Sequence, residues 1–152
     1  MNEYKKPTWE DALYIIEHMK KSNKQELLYA VGNHALDDME RAFKYSDEIG
    51  CFYIDGKPAA IFGVRKASVM SDYGLIWLLM TEETQKHRVT IGRETKTRLK
   101  QILRKYTMLY NHVDAKNEEI IKWLKWLGAD MKPVNYGIFN LPHYYFEFRR
   151  KA

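Results

Sequence analysis

The sequence predicts one mixed α/β domain, a central β-sheet flanked by helices. Three observations carry that expectation. Apolar residues recur three and four apart in some segments and run or alternate in others. Asp55-Gly56 joins two strand-like runs, a strong hairpin signal. Leu75-Ile76-Trp77-Leu78-Leu79-Met80 is an unbroken apolar run, which suits a central strand covered on both faces.

Each element has its own warrant. Thr8-Trp9-Glu10-Asp11 reads as a helix start, with Thr8 as cap and Asp11 reaching back to it. Pro7 favours an extended approach. Leu13, Ile15, Ile16 and Met19 supply the apolar face, and Ser22-Asn23 marks a break. A second helix is expected from Gln25 to Tyr45, with Leu27, Leu28, Val31, Ala35, Met39, Ala42 and Phe43 at helical spacing and Gly32-Asn33 as an interruption. Ile49–Ile54 and Ala59–Val64 are the hairpin strands. Val89–Tyr106 returns to helical period, with Ile91, Thr95, Leu99, Ile102, Leu103 and Tyr106 on one stripe. Met108–Val113 is a strand. Asn117–Leu127 is a short helix stopped by Gly128. Met131–Tyr136 and Tyr144–Phe148 are closing strands, with Pro142 expected in the loop between them.

Composition narrows the class. A chain of 152 residues suits one domain, with no linker or repeat. Aromatics at 14% supply enough apolar surface for a core, which argues against disorder. The lone Cys51 allows no intrachain disulfide and fits a reducing, cytoplasmic setting as a core residue. No apolar stretch approaches the roughly 18 residues of a membrane span. The five histidines lack metal-ligand spacing, so no metal is expected. Ser46, Ser68 and Ser71 lack a nucleophile-elbow pattern.

Charge is uneven. Of the net +5, the segment from Gln85 to Tyr106 holds +7: Lys86, Arg88, Arg93, Lys96, Arg98, Lys100, Arg104 and Lys105 against Glu94 alone. The remainder is −2. This helix would attract an anion.

The element order, with Asp55-Gly56-Lys57-Pro58 between the second and third strands, resembles the GNAT acyltransferases over nearly the whole chain. Lys6-Pro7-Thr8-Trp9-Glu10-Asp11-Ala12 looks like that family's passage from first strand to first helix. Asn117, followed eleven residues later by Gly128 in Leu127-Gly128-Ala129, is the most specific piece. Leu109-Tyr110-Asn111-His112-Val113 through Asn117 to Phe139 further resembles the C-terminal half of podovirus internal virion (core) proteins, which share the fold and act in virion morphogenesis.

The resemblance implies acetyl-CoA bound between splayed central strands, against Leu79, Met80 and Asn117. It places the carrier's pyrophosphate on backbone amides where the next helix starts. The family pattern there is Gln or Arg, two residues, Gly, one residue, then Gly or Ala. Here the window is Gln85-Lys86-His87-Arg88-Val89-Thr90: Gln85 fits, Arg88 and Thr90 replace the small residues, and Gly92 comes two positions late. One reading is an altered CoA site in which Lys86, Arg88 and Arg93 supply charge; the other is a solvated basic helix on a fold without its cofactor. The family's proton-donating Tyr falls on Leu124. His112, Tyr73 and Glu82 are the base candidates, with Asp72, Glu83 and Asp114 near them; His112 has the pKa range for proton transfer near neutrality. A lone strand histidine is, as a base rate, more often structural.

Three functions compete. The first is an acetyl-CoA-dependent N-acyltransferase, of phage type. The second is a catalytically silent internal virion protein with virion partners, in host cytoplasm or virion interior. Nucleic-acid binding through the basic helix ranks third, since no recognised nucleic-acid motif accompanies the charge.

Overall fold

The chain runs through strand β1 (Asn2–Lys5), helices α1 (Trp9–Glu17) and α2 (Ala35–Tyr45), and strands β2 (Glu48–Ile54), β3 (Lys57–Lys66) and β4 (Tyr73–Met80). Helices α3 (Glu82–Lys86) and α4 (Arg88–Ile102) follow, then β5 (Met108–Asp114), α5 (Glu118–Trp126), β6 (Asp130–Tyr136) and β7 (Leu141–Arg149). The computed structural model describes residues 2–19, 35–137 and 139–150. The strands form one seven-stranded sheet in the order β1-β2-β3-β4-β5-β7-β6. Every pairing is antiparallel except β4 with β5.

Local chemistry sets the starts and turns. The Asp11 amide donates to Thr8 Oγ1 (3.2 Å), and the Thr8 amide donates to Asp11 Oδ2 (3.0 Å). This reciprocal box satisfies amides that the first helical turn leaves open. Between β2 and β3, Asp55 and Gly56 both take positive φ (50° and 80°), as a tight two-residue hairpin requires. After α5, Gly128 at φ 103° ends the helix, and the Ala129 amide donates to Leu124 O (3.0 Å).

The sheet is covered on both faces. On one, Ala12 and Ile15 of α1, Met19 just past its end and Met39 of α2 pack on Cys51, Tyr53, Ile61, Trp77 and Leu79. On the other, Ile91, Leu99 and Ile102 of α4 and Ile121 and Leu124 of α5 pack on Phe52, Phe62, Val64, Leu109, Val113, Phe146 and Phe148. Each such large side chain contributes about 1.5–3 kcal/mol through burial. Cys51 is wholly buried, and burial pushes its thiol pKa up to about 12. Among the described residues no helix is long and apolar enough to cross a membrane.

Several boundaries differ from the sequence reading. β1 forms although its residues are mostly polar, because Tyr4 packs its ring on Phe52 and Phe62. α3 is an extra helix, begun by the acidic first-turn pair Glu82 and Glu83. The basic helix closes at Ile102, and Tyr106 is buried beyond it in the core. Pro142 lies inside β7, not in a loop; Gly137 and Asn140, before the strand, take positive φ. Pro142 is tolerated because it sits past the last β5 partner, the Asp114–His143 pair, so no ladder donor to β5 is lost. Of the second expected helix, 35–45 is helical; its earlier part, with Gly32-Asn33, and the Ser22-Asn23 break lie outside the described residues.

Candidate functional site

The site begins where two strands part. β4 and β5 pair only from Tyr73–Met108 to Leu75–Tyr110. Just beyond, Asn111 Nδ2 donates to Ile76 O (2.6 Å) across the opening. From there β5 stays with β7, and the β4 backbone has no strand partner on the β5 side. The gap is a cavity of about 340 Å³. Its walls include Leu79 and Met80 of β4, His112 of β5, Asn117 before α5, and Trp123 and Leu124 of α5. A smaller cavity of about 40 Å³ shares Met80 and Trp123 with it and reaches Thr84 and Arg88 at the start of α4. The opening therefore runs from the sheet toward the first turn of α4.

That turn is held from below. Thr84 Oγ1 donates to Ala59 O (2.6 Å), tying α3 to β3. His87 occupies the N-cap position of α4 without a side-chain cap bond. Helix starts leave amides without intrahelical partners, and Arg88, Val89 and Thr90 there are all exposed. Lys86 pairs with Glu83 (3.3 Å), and His87 lies 3.8 Å from the same carboxylate. Gln85 lies in α3, with its side chain outside the described residues. Arg93 is exposed. Gly92 faces away from this turn, into packing: a Cβ there would lie 2.8 Å from Trp126 Cζ3 and 3.1 Å from Trp123 Nε1. Asn117 takes the N-cap position of α5 and lines the large cavity.

The three base candidates are not brought together. Tyr73 begins β4 and Glu82 follows its end, so roughly 25–30 Å of strand separates them at about 3.3 Å per residue. Only His112 reaches the cavity. Its ring stacks on Tyr136 (centroids 3.8 Å apart, 9° between planes) and meets Tyr145 edge-on (5.6 Å). Burial, and then the neighbouring His143, hold its pKa below the ordinary histidine value, so it stays neutral to lower pH. Leu124 is buried in the cavity wall.

Two groups escaped the sequence reading. His143 is only 3% exposed and lines the cavity. Its Nδ1 lies 2.8 Å from Leu141 O, so Nδ1 carries the proton and Nε2 is left as an acceptor. Among the described residues that Nε2 is buried without a partner, and so is the Trp123 Nε1 donor. Only register brings His143 beside His112, since β5 and β7 place both on one sheet face. The alternation Leu141, His143, Tyr145 is the one local signal of that placement. Among the described residues no group of three His, Cys, Asp or Glu could hold a metal.

No protein-family model matches the chain, and no curated protein matches it. Solved structures do. The ribosomal-protein-S18-alanine N-acetyltransferase from Escherichia coli is 16% identical over 100% of this chain and 96% of its own, with a TM-score of 0.70. Ard1 from Thermoplasma volcanium is 15% identical over 99% of each chain, with a TM-score of 0.70. An acetyltransferase of the GNAT family from Streptococcus pneumoniae is 10% identical over 99% of this chain and 100% of its own, with a TM-score of 0.66. At such identities the likeness is one of fold: the chain has the fold of the GNAT acetyltransferases.

Proposed function

We propose that residues 1–152 form one N-acyltransferase domain that moves an acetyl group from acetyl-CoA to an amine. The observation that carries this reading is the parted pair β4 and β5, whose cavity leads toward the uncapped start of α4. The residues present fit the carrier's pantetheine arm. Trp123 offers a buried N–H with no partner, which an amide carbonyl of that arm would satisfy. Leu79, Met80 and Asn117 line the same passage. The phosphates would meet the first-turn amides of Arg88, Val89 and Thr90, with Lys86, Arg88 and Arg93 as counter-charges and Gln85 just before. Gly92 serves by letting α5 pack closely on α4, a structural role apart from the phosphates.

Acetyl-CoA, when bound, supplies an activated acyl thioester. The chain's own part is to orient the acceptor and take its proton. His112 is the base best placed, because its neutral ring borders the cavity. Tyr136 holds that ring flat. Tyr73 and Glu82 are left as acceptor-side contacts at the two ends of β4.

The test is release of free thiol from acetyl-CoA over a panel of small amines and peptide N-termini. An acceptor whose turnover falls about 10²–10⁴-fold in His112→Gln supports the assignment. Binding of the carrier with no turnover on any acceptor turns the reading to its alternative: a silent protein of the phage internal virion type, in host cytoplasm or virion. Leu124 favours that second reading, since a leucine cannot donate a proton to the departing thiolate.

A further inference from the structure

Apart from Arg88 on the first turn of α4, the positive charge between Lys86 and Lys105 divides into two sets. Four of these cations are engaged by the fold, two of them on α4, with Lys86 before it and Lys105 after it. Lys86 pairs with Glu83 and Lys105 with Glu48. Lys96 Nζ sits 3.9 Å over the Trp126 ring, and the Arg98 guanidinium 3.9 Å over Tyr4. Arg93, Lys100 and Arg104 differ: they are exposed, and their side chains have no partner among the described residues. Arg93 and Lys100, seven residues apart, share one face of α4, and Arg104 follows two residues past its end. Lys100 lies roughly 18 Å from Arg88 at 1.5 Å per residue, and Arg104 lies past the far end of the helix. A single small anion on the first turn cannot reach them.

An aromatic borders this row. Trp126 is 48% exposed and packs beside Gly92 and Lys96. It is therefore held on the shoulder between Arg93 and Lys100. Three free cations and one braced, half-exposed indole, with Lys96 over one of its faces, suit a chain of phosphates carrying unpaired bases. A duplex hides its base faces and would leave the indole unused. An acidic polypeptide would use the cations alone.

From this arrangement we infer that the exposed face of α4, with Trp126, is a docking surface for a single-stranded polynucleotide. The inference does not rest on acyl transfer and holds for a silent protein equally. Phosphates lie along Arg93, Lys100 and Arg104, and one base stacks on Trp126.

Fluorescence anisotropy with labelled oligouridylate and oligothymidylate over a salt series tests it. The wild type binds either strand, with log Kd rising against log salt at a slope of about 2, for three phosphate contacts at ~0.7 each. The triple variant Arg93→Gln/Lys100→Gln/Arg104→Gln brings that slope close to zero. Lys100→Gln/Arg104→Gln, which leaves the first turn intact, removes about two thirds of it. Trp126→Ala weakens binding roughly tenfold at unchanged slope. The control Lys57→Gln/Arg65→Gln/Lys66→Gln, equal in charge but on β3, keeps the slope. Thermal unfolding checks that every variant folds. The inference is overturned if the wild type does not bind at low salt, or if the triple variant and the control behave alike. It is also overturned if polyglutamate displaces the strands as well as unlabelled strand does while Trp126→Ala changes nothing, since that result describes a surface for acidic protein.

Discussion

The cavity between β4 and β5 and the first turn of α4 would hold two ends of one ligand, yet they are built differently. The cavity is made by backbone: a ladder that stops at Leu75, with helices and strands that keep it open. Its lining can vary widely without closing it. The turn depends on the size of individual side chains, because amides must come close to phosphate. There the chain carries Arg88 and Thr90, and its nearby glycine packs against tryptophans. Features owed to the fold persist under sequence change; features owed to a missing Cβ vanish with one substitution.

Four changes sharpen or break that contrast. The largest effect is expected from Leu124→Ala, which empties part of the cavity wall. It should cost about 2–5 kcal/mol in chemical denaturation, as buried leucines do. Next is Gly92→Ala. Crowding of Trp126 should cost about 1–3 kcal/mol, offset by up to ~1 kcal/mol of better helix propensity. Calorimetry should find carrier affinity almost unchanged; a large affinity loss at unchanged stability would make Gly92 a phosphate glycine and erase the contrast.

Trp123→Phe separates the cavity from its packing. It removes a buried donor that the free protein leaves unpaired, so stability should hold or rise slightly. Acetyl-CoA affinity should fall by about 1 kcal/mol, near fivefold. The smallest effect belongs to the turn: Arg88→Gln should weaken binding by about 0.3–1 kcal/mol, less at high salt.

Acidity tests the cavity wall in another way. The folded state keeps His112 below its ordinary pKa, so the unfolded chain binds the proton first as pH falls. Stability should therefore be intact above about pH 6.5 and decline as pH drops through the folded value. His112→Gln should flatten that decline. At the alkaline end, Tyr4 is raised to about 12 by burial, so stability should decline as pH rises past about 10.

Much of this was legible in local sequence. Thr8 and Asp11, Asp55-Gly56, and Asn117 to Gly128 each announce a cap or turn through short-range chemistry, and each forms as read. Long-range effects were not legible. β1 owes its place to Tyr4 packing on Phe52 and Phe62, far along the chain. Pro142 enters a strand because the neighbouring strand has already ended. His143 sat unremarked among five histidines, since only the β5–β7 register sets it beside His112. The unpartnered Nε1 of Trp123 likewise depends on what α4 and β4 leave open around it.

The central claim is that this cavity holds acetyl-CoA, and thermal unfolding with and without that ligand tests it most directly, with ATP as the control anion. At a hundred times Kd the ligand should add about 2.7 kcal/mol, worth roughly 5–10 °C for a chain of this size. That rise is expected with acetyl-CoA, with little from ATP and a smaller rise in Trp123→Phe. No rise at millimolar acetyl-CoA, or equal rises with both ligands, would contradict it.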